Sequence, residues 1–464
     1  MLENSRGFIR SSTFLSRVAP WWMVGVLLFF YVLSILDRLI LNMLIVPIQK
    51  ELQFTDFQIS LLIGPAFSIC FGLFGYPLGW AADRFSRRRV IFGGLIVWSM
   101  ATVFTGLSKT LPFLFSSRIG VGVGEAALSP AAYSLIADKF PKERLATAMS
   151  VFGMGPKVGT AVAFAVGGLV FTYSTELDGI TWPFIGALSS WRLALLMVGA
   201  PGILFAFLAF SFSEPQRCSI RKKATSDISV RTYIIQNKPL FFTLLLGFSF
   251  SAIAASGLVS WVPTYLTREF GLSPNEYAPI MGVINLISAS SIVVKGVVID
   301  WLYSRGVRDA HVRFYTWMLA VTVPLSILAF NTSNPYIFMC VYGVVDVVLV
   351  SFLIYVGATI QMMVPQHMRG QITAIFMFLI MTLAAGVAPS LVASFTDFVF
   401  ESEAALGKSL MLVTAGSSVV AFVMLRIALR YLKPRMEAIA ADVIAVAPTP
   451  SSPDVRGAVA TPHA

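Results

Sequence analysis

The sequence predicts an all-α membrane protein with twelve spanning helices in two sets of six. Three observations lead there. Of the 464 residues, 57% are apolar and only 12% are charged, about half the charged share of an ordinary soluble domain. The apolar residues gather into twelve stretches, each near the roughly 20 residues that a spanning helix needs. The segments between them alternate between strongly basic and nearly uncharged, the asymmetry that orients a polytopic chain. The same composition excludes disordered, collagen-like and disulfide-scaffold classes. Cys70 and Cys340 fall in apolar runs and Cys218 in a basic loop, so no disulfide framework or redox role is expected.

Taken in order, span 1 (21–46) follows a basic terminus carrying Arg6, Arg10 and Arg17. It is longer than a signal-peptide core and leads into further spans, so no cleaved leader is expected. Span 2 (57–80) runs into Arg84, Arg87, Arg88 and Arg89; span 3 (89–108) and span 4 (111–137) follow, the latter ending at Lys139, Lys142 and Arg144. Span 5 (145–171) and span 6 (190–212) complete the first half, residues 21–212. The longest hydrophilic segment, 213–239, holds Arg217, Arg221, Lys222, Lys223, Arg231 and Lys238. The second half, 240–432, comprises span 7 (240–266), span 8 (277–299), span 9 (313–331), span 10 (335–363), span 11 (370–396) and span 12 (407–432). Its basic segments carry Arg305, Arg308 and Arg313, then Arg369, then Arg426, Arg430, Lys433, Arg435 and Arg456. Residues 433–464 form a tail whose small, Pro-rich end from 440 reads as disordered.

In total 25 of the 34 Lys and Arg lie on one side and only Lys50, Lys109, Arg192, Arg268 and Lys408 on the other. Residues 1–20, the central segment and the tail are therefore expected in the cytoplasm. The net charge of +11 reflects this topology, not a nucleic-acid partner. Two equal halves about a charged centre suggest a duplicated transporter architecture.

A repeat supports the duplication. After span 2 the chain has Gly79, Asp83, Arg84, Ser86, Arg87 and Arg88; after span 8 it has Gly296, Asp300 and Arg305. Each copy places Gly, then Asp four residues on, then a basic residue. Gly permits close helix approach, and Asp at a helix boundary can accept bonds from a neighbouring span. A plain basic stop-transfer loop is the competing reading, which the matched recurrence weakens.

These residues resemble the loop between the second and third spans of the major facilitator superfamily, G-x-x-x-D-R-x-G-R-R, with Ser86 where Gly is usual, a change expected to loosen or reshape the turn. Arg118, Gly122 and Gly124 are similar to the R-x-x-x-G-x-G pattern of that superfamily's fourth span. The resemblance covers about residues 20–435 and implies two six-helix bundles rocking about a central cavity. Leu36-Asp37-Arg38, Glu125-Ala126, Pro130, Tyr133, Asp138-Lys139-Phe140-Pro141 and Glu143-Arg144 resemble Spinster-like transporters, especially bacterial members. Eukaryotic members of that family are associated with sphingosine phosphate and lysolipids. The same residues also resemble the anion:cation symporters, which take up sugar acids and other organic anions.

The chemistry rests on ionisable residues inside apolar stretches, each costly to bury and thus a functional candidate. From the cytoplasmic ends, at 1.5 Å per residue, Asp37 and Arg38 lie about 25 Å deep, Arg118 about 28 Å, and Glu125 and Lys157 about 18 Å. Arg118 and Glu125 are two turns apart and share a helix face. Asp37 and Arg38 point about 100° apart, so at most one faces a cavity squarely. Asp346, in span 10, is the buried acid of the other half.

One reading is structural: Asp37 with Arg118, or Arg38 with Glu125, as permanent pairs. The other is a proton switch. Low dielectric favours a neutral carboxyl and a nearby Arg favours the charged form, so parting such a pair lets the acid take a proton. Asp37 and Glu125 are the expected proton carriers, with Arg38 and Arg118 as partners or anion ligands, since Arg does not titrate. Lys157 sits among Gly153, Gly155, Pro156 and Gly159, and can contact substrate or pair structurally. Lys295 is expected to snorkel near the end of span 8. No metal spacing or Walker loop appears, so no cofactor and no ATP-driven step are expected.

The expected function is proton-coupled transport, by alternating access across a bacterial-type inner membrane, of a small organic anion or amphipathic lipid. A Spinster-like lysolipid exporter is the alternative within transport. A non-transporting receptor or scaffold is the alternative from another class. No catalytic constellation suggests an enzyme, and the expected partners are the solute, protons and membrane lipids.

Overall fold

The computed structural model describes residues 3–182, 186–216, 230–350, 352–364 and 368–446. Cys218, Arg221, Lys222, Lys223, His367 and the tail beyond Val446 lie outside them, as does the side chain of Asp300. Among the described residues, eleven long apolar helices form spans 1 to 9, 11 and 12: Ala19–Met43, Asp56–Arg84, Arg87–Leu107, Leu111–Lys139, Thr147–Glu176, Ser190–Phe210, Lys238–Phe270, Pro274–Ser304, Ala310–Phe330, Gln371–Val399 and Glu403–Met436. Span 10 is built from two shorter helices, Pro335–Leu349 and Phe352–Met363. A two-residue ribbon, Thr181–Trp182 with Gly186–Ala187, lies between spans 5 and 6.

Several spans are broken where proline demands it. Proline has no N–H to donate and its ring crowds the carbonyl four residues back. Span 2 breaks at Gly64 before Pro65, span 4 between Glu125 and Leu128 ahead of Pro130, and span 5 at Met154 ahead of Pro156. The break in span 4 leaves Glu125 at the end of its first segment. Span 12 departs from expectation at its far end, where its helix runs from Leu406 to Val446, well into the expected disordered tail. The Ala, Met, Arg and Glu of residues 433–446 are strong helix formers and carry the helix on past Pro434.

In the first half, spans 1 and 5, 3 and 6, 3 and 4, and 2 and 4 pack together; in the second, span 12 packs on spans 7 and 9 and span 11 on span 7. The halves meet through spans 5 and 8 and through spans 2 and 11. Small residues permit the closest crossings. A Cβ on Gly94 would lie 2.6 Å from the Gly124 carbonyl oxygen, and one on Gly122 would lie 2.5 Å from that of Phe67. Spans 2, 3 and 4 therefore touch backbone to backbone around the functional residues. Gly79 and Gly296 do not do this. A Cβ on Gly79 would meet Pro130 at an ordinary 3.7 Å, and one on Gly296 would meet nothing within 4 Å, because both sit near the basic end, where neighbouring elements stand apart.

Close approaches between the halves run from the outer end to mid-membrane. On one side Gly64 approaches the Ala385 carbonyl and Gly72 approaches Phe378; on the other Gly168 approaches Ala278 and Gly282 the Ala161 carbonyl. Further toward the basic end, Gly75 faces open space as Gly296 does. The close approaches between the halves thus lie at the end opposite the basic segments and at mid-membrane.

Candidate functional site

Spans 1 and 4 bring the expected cluster together. Arg38 Nη2 lies 2.5 Å from Glu125 Oε2, and Ser34 Oγ donates to the same oxygen at 2.8 Å. Glu125 is buried, while the Arg38 side chain remains 30% exposed. Its guanidinium carbon stands 4.2 Å from the Phe67 ring centroid and 5.6 Å from that of Phe71, a cation–π seat. Asp37, on the adjacent face, is 3% exposed, and its Oδ1 accepts no hydrogen bond. Of the two pairings open to the sequence, the structure forms Arg38 with Glu125. Asp37 and Arg118 act on each other through space, without an ion pair among the described residues.

Arg118 is the most unusual member. It is 1% exposed, and none of its three guanidinium nitrogens has a hydrogen-bond partner among the described residues. Its nearest aromatic neighbour is Phe67, 6.0 Å from the guanidinium carbon. A buried guanidinium with five idle donors is expensive, and such groups need a reason.

Lys157 and Asp346 meet across the halves, with Nζ 3.4 Å from Oδ2. Lys295 does not snorkel: it is 6% exposed and donates to the Val347 carbonyl of span 10. Packing of span 8 against span 10 draws its ammonium inward, beside the acid. Lys157 thus pairs with this carboxylate directly, and Lys295 acts on it through space. Gly155 and Gly159 supply the close packing expected of them, against Tyr31 and Ile35 of span 1, whereas Gly153 faces open space.

At the outer end is a clamp that sequence reasoning missed. Arg268, near the end of span 7, donates from Nη1 to Asp56 Oδ2 and from Nη2 to Asp56 Oδ1, both at 2.7 Å, and also to Gln49 Oε1 at 2.7 Å. Glu403 lies 3.4 Å from the same guanidinium. Asp397, at the end of span 11, accepts the Phe57 backbone N–H at 2.7 Å, an anion at a helix N-terminus. Beside it, Glu51 accepts from Trp191 Nε1 at 2.6 Å and from Arg192 at 2.9 Å. Burial pushes the Glu51 carboxyl up, but bonds from Trp191 and Arg192 outweigh it and hold the group below its ordinary value. The signal for the clamp was an acid opening span 2 and a base closing span 7.

The loop between spans 2 and 3 is tied within its own half. Arg87 is buried and donates to Asp138, to Ser134 Oγ at 3.0 Å and to the Pro215 carbonyl at 2.8 Å. Glu214 accepts the Arg87 backbone N–H at 2.8 Å and Ser86 Oγ at 2.5 Å, and lies 3.7 Å from Arg88. Ser86 does not loosen the turn: its φ of −59° needs no glycine, and its hydroxyl fastens the loop. Asp83 is exposed and, among the described residues, accepts no bond from a neighbouring span, contrary to expectation, because it stands at the exposed basic end of its helix; Arg84 stacks on Trp80. Arg305 likewise stacks on Trp301. Glu214 was missed because it reads as part of a linker, although it is an acid set against the arginine run 84–89. Burial raises its carboxyl, and bonds from Ser86 and Arg87 more than reverse this, leaving it below the ordinary value.

Two six-helix halves packed together around buried charges define a secondary transporter that works by alternating access. The chain belongs to the Major Facilitator Superfamily, whose family model matches residues 27–389; it is a multi-pass membrane transporter, not an enzyme. It is 25% identical to an MFS-type efflux pump of Mycolicibacterium smegmatis, covering 86% of this chain and 90% of that one. It is 27% identical to protein spinster homolog 1 of Xenopus laevis, covering 73% of this chain and 64% of the relative. A crystal structure of a bacterial homolog of the human lysosomal transporter Spinster, inward-facing and occupied, superposes with a TM-score of 0.73 at 24% identity, covering 91% of this chain and 98% of that one. Within the superfamily the resemblance is closer to the Spinster-like branch.

Proposed function

We propose that this transporter moves an amphipathic organic anion of the lysolipid type across a bacterial-type inner membrane in symport with protons, with both termini in the cytoplasm. The observation that carries this reading is Arg118, a buried cation with unused donors, next to an Arg38–Glu125 pair. With Asp37 and Glu125 ionised, the cluster is neutral. Protonating Glu125 releases Arg38 and leaves the cluster at +1, which draws a phosphate or carboxylate to Arg38 and Arg118. Phe67 and Phe71 offer the apolar wall beside these cations that an amphipathic solute needs. Loss of the anion and of the proton at the opposite face re-forms the pair and resets the site.

Lys157, Asp346 and Lys295 serve in this reading as the hinge charge between halves, and the Asp56–Arg268 clamp as the outer gate. Closer resemblance to the Spinster-like branch, whose eukaryotic members are associated with lysolipids, supports an amphipathic cargo. The test is flux in proteoliposomes under an imposed pH gradient, with lysophospholipids in one arm and sugar acids in the other. Gradient-driven lysolipid movement supports the proposal. Movement of sugar acids alone transfers the site to the anion:cation reading, and binding without flux replaces transport by a receptor role.

A further inference from the structure

The second half carries a pocket that the transport site does not use. It lies between the start of span 9 and the end of span 12, at the basic end, and encloses about 560 Å³, within the usual range for a small-ligand site. Arg313, Arg426, Arg430 and Lys433 line it together with Trp317 and Phe422. Asp309 is the acid of the lining, and its Oδ2 is held by Arg313 Nη2 at 2.7 Å. Arg426 and Arg430 form no ion pair among the described residues. They are four residues apart on one helix face, where like charges repel. Arg426 sits over the Trp317 ring, its guanidinium carbon 5.6 Å from the centroid, which holds the plane while leaving its N–H edges to donate.

The surface next to this pocket changes character. Trp317 and Val321 on span 9, and Val419 and Val423 on span 12, are large apolar residues left exposed, Trp317 by 58%. Each pair is four residues apart, so the two helices present one apolar strip running from the basic pocket toward mid-membrane. Guanidiniums at the membrane surface with an apolar strip above them match a phosphodiester headgroup and its acyl chains.

We propose that this pocket binds an anionic phospholipid of the leaflet at the basic end, its phosphate held by Arg426 and Arg430 and its chains lying along Trp317 and Val423. The site is separate from the transported solute and would stand if the cargo proved different.

The experiment uses the full-length protein in detergent micelles doped with phosphatidylglycerol, read by native mass spectrometry and thermal melting. Parallel arms contain phosphatidylcholine or inorganic phosphate. Wild type should retain phosphatidylglycerol in preference to phosphatidylcholine. Arg426→Gln/Arg430→Gln should bind it about thirtyfold more weakly, from roughly one surface charge contact per arginine. Both residues are exposed, so the variant folds. Arg89→Gln/Arg144→Gln removes the same charge from the basic end of the other half and should leave affinity within about twofold of wild type. Unchanged retention in the Arg426/Arg430 variant, equal loss in the control, equal retention of phosphatidylcholine, or displacement of the lipid by inorganic phosphate would each overturn the proposal.

Discussion

Arg268 holds Asp56 through two parallel 2.7 Å bonds, and this fork joins the outer end of span 7 to the outer end of span 2. A charge-assisted bidentate pair is worth about 1.5–3 kcal/mol when one partner is buried, and Asp56 is 1% exposed. The contact between the halves at this end is therefore held by a bond that parting them here must break.

Asp56→Asn weakens that closure. The share of outward-open molecules should rise by about tenfold. A cysteine at Ser390, whose hydroxyl meets Ser60 Oγ across the same seam, reports this as faster labelling by an impermeant thiol reagent from outside. Equal labelling rates in the Asp56→Asn and Asp56 backgrounds would remove the clamp from the gate.

The charges shared by spans 5, 8 and 10 predict an asymmetry. Asp346→Asn leaves the half-buried Lys157 and the buried Lys295 without that acid, whereas Lys157→Met leaves Lys295 near Asp346. Breaking a buried pair costs about 3–5 kcal/mol, so Asp346→Asn should lower the melting temperature more than Lys157→Met does. The double variant Lys157→Met/Asp346→Asn should recover part of the loss. Equal loss in both single variants would mean that Lys295 does not share the acid.

Glu214 predicts a pH dependence. Its carboxyl titrates below its ordinary value in the folded protein because Ser86 and Arg87 hold the charged form. A depressed folded pKa means that the stabilisation is complete above the unfolded value, about 4.3, and is lost as pH falls through the folded value. Glu214→Gln should therefore melt about 2–4 °C lower than wild type at pH 7. The gap should close on acidification below about pH 4. A gap that persists in acid would assign the effect to packing of the loop.

The sequence made the helices and the charged core of the first half legible for different reasons. Twelve apolar stretches declare themselves because lipid leaves no alternative to helix. Asp37, Arg38, Arg118 and Glu125 stood out because charge inside such a stretch is costly, but which of them pair stayed open until the structure joined Arg38 to Glu125. Lys157–Asp346 was hidden, since nothing local says which turn of span 5 meets span 10. Asp56 and Arg268 were hidden because they sit at loop edges, where charge is cheap.

A further repeat was present but unread. Span 2 opens with a capping box formed by Thr55 and Gln58, and span 8 with one formed by Ser273 and Glu276. Each follows by two residues a left-handed cap, Gln53 with φ 55° and Gly271 with φ 67°. The two halves thus turn at the outer end in the same way. Three residues before each cap stand Lys50 and Arg268, and after each capping serine or threonine stand Asp56 and Pro274. Duplication would allow two clamps, but Pro274 removes the acid from one, so Arg268–Asp56 closes the outer end alone at these matched positions.

The central claim is that Glu125 exchanges its Arg38 partner for a proton when the anion arrives. It is tested most directly by pH-gradient-driven flux of a lysophospholipid in proteoliposomes, comparing wild type with Glu125→Gln. The account predicts gradient-driven accumulation in wild type. In the variant, which keeps the side-chain shape but cannot ionise, uphill movement should be abolished, while exchange at equal pH continues. Accumulation that follows the gradient equally in both proteins would contradict the account and reduce the Arg38–Glu125 pair to a structural bolt.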